Sequence, residues 1–316
     1  MNQDLKTLYQ TQLKGELSGM EGLRRKARKE AIIGGIFALP SFLMFLILQD
    51  GNEWFGLAPG GGAIFFGIRF QMVWNELRGV YKKKVVSKVI QLVNPDWKYH
   101  PEEHIPKDIY KKSGLFRKRV DRYQGDDLIT GLIDETDFAC SELHTEYKTE
   151  SRDSDGNTKT EWHTIFKGLF FHADFHKNFS GETYVRPDFS EKTFGRFGKR
   201  FQKMSKRGEL IHLENAAFEK EFVVHSTDQV EARYILTPKM MEAMLRLKQI
   251  HGKTFYFSFV RSRVFCAITI RKQLFEPPLF RSGVNLKGIE KIYELVKINE
   301  SIVHEMNLNT RIWTKV

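Results

Sequence analysis

His172, Asp174 and His176 carry donor types that bind a divalent ion, and they stand two residues apart. On a β-strand that spacing turns all three side chains to one face. Imidazole with carboxylate suits zinc or a related cation, so the cluster supports a metal-dependent hydrolase. His163, and His144 with Glu142, lie on neighbouring stretches. The competing reading is the polar face of a half-buried strand, with Phe171 and Phe175 on its apolar face. Asp153, Asp155 and Asn157 imitate the opening of a calcium loop. The imitation then fails. Thr158 stands where the turn needs glycine, and Thr164 where a bidentate glutamate belongs. A hairpin tip fits better. Asp126, Asp127, Glu142 and Asp188 are further carboxylates whose sequence positions pair none of them. Phosphate-binding glycine loops, the G-x-S-x-G elbow and H-E-x-x-H are all missing from the sequence. No catalytic residue is therefore assigned and no cofactor is expected.

The second chemistry is cationic. Net charge is +11, and it is concentrated. Residues 192–207 hold seven cations and no acid: Lys192, Arg196, Lys199, Arg200, Lys203, Lys206 and Arg207. Phe194, Phe197, Phe201 and Met204 follow helical spacing between them. That is the pattern of a basic amphipathic helix lying on a membrane, or of a helix packed on its own sheet with solvated cations. Residues 107–122 add seven cations against Asp108 and Asp121. Anionic lipid headgroups or a protein partner suit such patches. Nucleic acid ranks last, because exposed aromatics for base stacking cannot be told here from core phenylalanines.

The elements that must carry these groups begin with two apolar runs. Residues 31–49 have no charge, and residues 54–74 have only Arg69. A bilayer core takes about 20 apolar residues in a helix. The runs therefore predict a transmembrane helical hairpin with Asp50, Gly51, Asn52 and Glu53 at its tip. Arg24, Arg25, Lys26, Arg28 and Lys29 precede it, and Arg78, Lys82, Lys83, Lys84 and Lys88 follow. Cationic flanks stay on the cytosolic side. The expectation is a multi-pass protein of the inner membrane with both termini cytosolic. Trp54 and Trp74 occupy aromatic-belt positions, and Arg69 lies within snorkelling reach of the interface.

Four segments follow. Residues 1–30 form an amphipathic helix on Leu5, Tyr9, Leu13, Leu17 and Met20. That stripe could pair with a second copy, lie on the membrane or pack on its own protein. Residues 31–74 are the hairpin. Residues 75–119 are a basic helix ended by Asn94-Pro95, then a linker. Residues 120–316 form an α+β domain, mainly antiparallel, with covering helices. Strand texture marks 128–133, 138–149, 160–175, 209–213, 218–225 and 230–236. Thr237, Pro238 and Gly252 then bound a helix. Two strands with one-face sets Phe255, Phe257, Phe259 and Val264, Cys266, Ile268 come next, and an amphipathic helix closes the chain. Cys140 and Cys266 sit in strands and suggest no disulfide.

The run WHTIFKGLFFHADFHKNFSGETYVRPD at 162–188 resembles the core of a bacterial family, domain of unknown function 3137. So do YQGDD at 123–127, SELHTEYKT at 141–149 and FEKEFVVHSTDQVEARYILTP at 218–238, with LFEPPLF and LNTRIWTK near the end. The resemblance implies an N-terminal pair of membrane spans and brings no activity, ligand or catalytic residue. Within that pattern Asp174, Phe175 and Lys177 stand out more than His172 does. The resulting expectation is a membrane-anchored, non-enzymatic protein whose cytosolic domain binds a protein partner, the anionic membrane surface, or both. A membrane-tethered hydrolase is the alternative.

Overall fold

The computed structural model describes residues 3–47, 54–152, 158–188, 208–306 and 308, and the side chains of 44–47 and 54–59 lie outside that description. Two compact units emerge. One comprises Met1–Pro95 with Phe275–Glu294, the other Asp96–Leu274 with Leu295–Val316.

The first unit is helical. Helix α1 (Gln3–Leu8) runs through a π-turn (Tyr9–Leu13) into α2 (Lys14–Ile47), and α3 (Trp54–Tyr81) runs through a second π-turn (Lys82–Val86) into α4 (Ser87–Val93). The predicted stripe is real: Leu5, Leu13, Leu17 and Met20 are buried. Asn94 leaves helical geometry ahead of Pro95, which stops α4 as a pre-proline residue should. Helices α2 and α3 pack antiparallel. Glu30 meets Arg69 at 2.9 Å, Gly34 lies against Phe66, and the Phe37 and Phe66 rings stack at 5.5 Å. Gly62 permits this approach, since a Cβ there would lie 2.8 Å from the Phe37 ring. The helix pair is thus present. Its crossing of a membrane is not supported: among the described residues, no helix is long and apolar enough.

Among the described residues, the second unit is built on nine antiparallel strands in the order β1-β2-β3-β4-β9-β8-β5-β7-β6. These are β1 (Lys98–His100), β2 (Arg122–Ile133), β3 (Thr136–Arg152), β4 (Thr158–Asp174), β5 (Glu182–Pro187), β6 (Glu209–Ile211), β7 (Phe222–Ser226), β8 (Thr254–Val260) and β9 (Arg263–Thr269). The α+β class is as the sequence predicts. Phe255, Phe257 and Phe259 are fully buried on one face of β8, as are Val264 and Cys266 on β9. The other face buries Ile105, Tyr110, Leu115, Phe166, Phe170 and Tyr184 as one apolar cluster.

The strand texture at 218–225 is half borne out, since Phe222–Ser226 is β7, but its first residues and most of the stretch 230–236 are helical instead. Phe218 belongs to the helix Ala216–Glu221, and Val230 to the helix Gln229–Ile235. The reason is local. Asn215 Oδ1 accepts from the Phe218 N–H at 3.0 Å, and Asp228 Oδ1 accepts from the N–H groups of Val230 and Glu231, both at 2.9 Å. An N-cap that satisfies first-turn donors outweighs the modest β-preference of a few branched residues. The helix Pro238–His251 follows its signals, with the Thr237 cap accepting from Met240 and Gly252 closing at φ 56°. Strand β5 and the short helix α5 (Lys107–Lys112) lie where no element is predicted.

Candidate functional site

Residues 105–121 lie over the sheet face that buries Tyr110. Apolar anchors alternate with cations along the segment. Ile105, Tyr110, Leu115 and Val120 are buried in the cluster beneath it, and Ile109 and Phe116 pack against its edge. Hydrogen bonds fix the backbone between the anchors. The Ile105 N–H donates to Ser141 Oγ at 3.1 Å, Tyr123 Oη donates to the Ile105 carbonyl at 2.6 Å, and Ser258 Oγ donates to the Ser113 carbonyl at 2.7 Å. Buried Tyr110 meets Thr145 at 3.0 Å, and burial pushes its phenol well above the usual range. Gly114 turns the chain at φ 63°, and a Cβ there would lie 2.3 Å from Tyr184 Oη. Only glycine fits that contact and that dihedral together.

With the apolar side chains held inward, the cations of the segment point away from the core. They border an open cleft of about 870 Å³ lined by seven cations and two acids. Arg261 joins from the turn between β8 and β9, far away in sequence. Some of these charges are already engaged. Lys107 Nζ donates to the Val120 carbonyl at 2.9 Å, Lys112 meets Asp108 at 3.0 Å, and Arg119 meets Asp121 at 3.0 Å. Lys118 lies 4.7 Å from the Tyr147 ring centroid. Lys111, Arg117 and Arg261 are exposed and make no ion pair with a described residue. A concave surface with a large excess of cations concentrates anionic ligands.

The His/Asp set is arranged otherwise than a shared strand face requires. His172 Nδ1 accepts from Arg263 Nη1 at 2.7 Å, and Arg263 Nη2 donates to Asp137 at 2.7 Å. Burial and the Arg263 charge lower the His172 pKa to about 4. The strand ends at Asp174, and His176 lies in the following turn at φ 54°. There its N–H donates to Asp174 Oδ1 at 3.2 Å, and its Nδ1 lies 3.3 Å from Oδ2. His172, Asp174 and His176 do not converge as a ligand set. His163 meets Thr149 at 2.8 Å and His144 lies 3.6 Å from Glu146.

A different set does converge among the described residues. Carboxylate oxygens of Asp126, Asp127 and Glu142 lie within 4.8 Å of one another. Asp126 pairs with Glu142 across β2 and β3, and a register shift follows it. Asp127 at φ 60° sits in that bulge. Three carboxylates of this kind could hold a hard divalent cation. They are also structurally engaged: Tyr99 Oη donates to Asp127, and the Leu274 N–H donates to Glu142 at 3.1 Å. Strand pairing brings the three together, so only a correct register and bulge would reveal them in sequence. Asp188 lies elsewhere, at the end of β5, its N–H donating to the Glu221 carbonyl. The calcium-like residues Asp153, Asp155 and Asn157 lie outside the described residues. So do Lys192, Arg196, Lys199, Arg200, Lys203, Lys206 and Arg207.

The fold defines an antiparallel α+β protein with an N-terminal helical unit. Residues 164–308 match the sequence model of the family described as protein of unknown function, DUF3137. That is the family to which the sequence strings point. No curated protein matches the chain. Among solved structures, the chain is similar to the mycobacterial trehalose monomycolate transport factor A, TtfA, at 10% identity and a TM-score of 0.32. That similarity covers 67% of this chain and 93% of the other, and it is too remote to carry an argument.

Proposed function

We propose that the protein is a membrane-anchored, non-enzymatic binding protein, held by its helix pair, whose α+β unit engages an anionic surface through residues 107–121. The carrying observation is the cleft, where cations without ion-pair partners among the described residues are carried on a rigid apolar footing. The anchoring half is supported by the outer surface of the helix pair. Ile32, Ile36, Leu39 and Leu43 form an exposed stripe on α2, as do Phe65, Ile68 and Met72 on α3. Leaving such a stripe in water costs roughly 25 cal/mol per Å², and contiguous exposed apolar surface marks a membrane or protein contact. The uncharged runs at 31–49 and 54–74 and their cationic flanks favour the membrane, with both termini on the cytosolic side. The non-enzymatic half is supported by His172, whose Nδ1 accepts from Arg263 and so is not open to a metal.

Alkaline carbonate washing of membranes holding the full-length protein tests the anchor. The protein stays with the pellet, and an Ile36→Glu, Ile68→Glu double variant shifts to the supernatant. Wild-type protein released by the wash would overturn the anchoring.

A further inference from the structure

Resting on the anionic-surface reading, we propose that the cleft is a discrete site for one phosphate ester group, bound between Arg117 and Lys111 on one side and Arg261 on the other. A diffuse basic surface needs neither concavity nor rigidity, and this cleft has both. Its first wall is pinned at Gly114 against Tyr184, and Tyr184 Oη in turn donates to Glu182 at 2.5 Å. Its second wall is the two-residue turn of Arg261 and Ser262, where Val260 pairs with Arg263. Arg261 adopts φ 60°, a conformation that L-residues other than Asn and Asp seldom take. The turn is tied down at both residues. The Phe179 N–H donates to the Arg261 carbonyl, and the Phe175 N–H donates to the Ser262 carbonyl at 2.8 Å. A guanidinium is thus carried by a fixed backbone in the lining of the cleft.

The chemistry selects phosphate. Guanidinium forks match phosphoryl oxygens bidentately, and an ammonium adds a point charge. Three cations with no ion-pair partner among the described residues exceed what a single carboxylate neutralises, whereas a phosphate monoester carries up to two charges. Bases of a nucleic acid would need an open aromatic platform. The aromatics lining this cleft are committed elsewhere: Phe116 stacks on Phe166 at 5.0 Å, and Tyr184 is buried. The cleft volume of about 870 Å³ falls in the range of small-molecule sites. The phosphate could belong to a lipid headgroup or to a soluble ester.

The test is calorimetric titration of the full-length protein in an uncharged detergent. The probes are short-chain phosphatidic acid, glycerol 3-phosphate and inorganic phosphate. Saturable binding near one per chain, weakened at least about ten-fold by Arg117→Gln and by Arg261→Gly, is expected. Arg261→Gly removes the guanidinium while suiting the backbone, so loss of binding there is not loss of fold. Tighter binding of the lipid than of glycerol 3-phosphate assigns the site to a headgroup. Equal affinities assign it to a soluble ester. Absence of saturable binding to all three probes would overturn the site. The broader anionic-surface reading has its own measurement, lipid-dependent exchange protection in nanodiscs, so the two can fail separately.

Discussion

The two basic regions of the molecule use their charges in opposite ways. In the helical unit the cations at the end of α3 and after it are largely neutralised from within. Arg78 meets Glu276 at 2.7 Å, buried Lys82 meets the same carboxylate at 3.6 Å, and Lys84 and Lys88 meet Glu16 at 3.0 and 3.7 Å. Glu16 is held below the usual carboxylate range by its bond to Lys84. Arg24 is likewise paired with Glu21 and donates to the Leu279 carbonyl. In the sheet unit, Lys111, Arg117 and Arg261 border the cleft and make no ion pair with a described residue. Counting cations along a sequence therefore overstates the first region as a ligand surface and understates the second. What matters is whether an acid from a distant segment, here Glu276 of the LFEPPLF loop, folds back onto them.

The contrast breaks first at Glu276. Glu276→Gln removes one carboxylate from Lys82, which is almost wholly buried, and from Arg78. Removing one partner of a buried pair costs about 3–5 kcal/mol, and partial exposure of Arg78 argues for the lower end. A lowered Tm of the full-length protein checks this. Phosphate-ester binding, measured below the new Tm, should not change.

A second effect concerns Arg263, whose neighbour must stay uncharged. The folded His172 pKa is about 4, against about 6.5 in the unfolded chain. Above pH 6.5 neither state is protonated and the contribution is constant. As pH falls from 6.5 to 4, the unfolded state binds the proton and the folded state does not, so stability is lost. The loss approaches about 3 kcal/mol. Denaturant unfolding of wild type and His172→Gln at pH 7.5 and 4.5 measures it as a difference, with the shallower pH slope in the variant.

Gly114→Ala sharpens the cleft side. The new Cβ meets Tyr184 at φ 63°, at an expected cost of about 2 kcal/mol, and ester binding should weaken with it. Arg117→Gln is the smallest and has the opposite sign from Glu276→Gln. Relieving repulsion among exposed like charges should leave Tm unchanged or raise stability by about 0.3 kcal/mol at low salt.

Much of the fold is legible in the sequence. Helix periodicity gives the buried Leu5, Leu13 and Leu17 stripe, and the Thr237, Pro238 and Gly252 signals give their helix. The sheet's long central strands announce themselves by branched and aromatic texture. What fails is local capping against texture at 216–221 and 229–235, where Asn215 and Asp228 decide the outcome. The cleft is half legible: residues 107–122 stand out by charge, but Arg261 joins them only through the β8–β9 turn. Asp126, Asp127 and Glu142 meet only through strand register and a bulge. His172 reads as a ligand in sequence because nothing there places Arg263 beside it.

The most direct test of the central claim is hydrogen–deuterium exchange of the full-length protein in nanodiscs, comparing neutral with anionic lipid at low salt. Added protection is expected at residues 107–121 and at the 260–263 turn in anionic discs alone, lost in the Arg117→Gln, Arg261→Gly variant. Identical exchange of both segments in the two lipids would contradict the central claim.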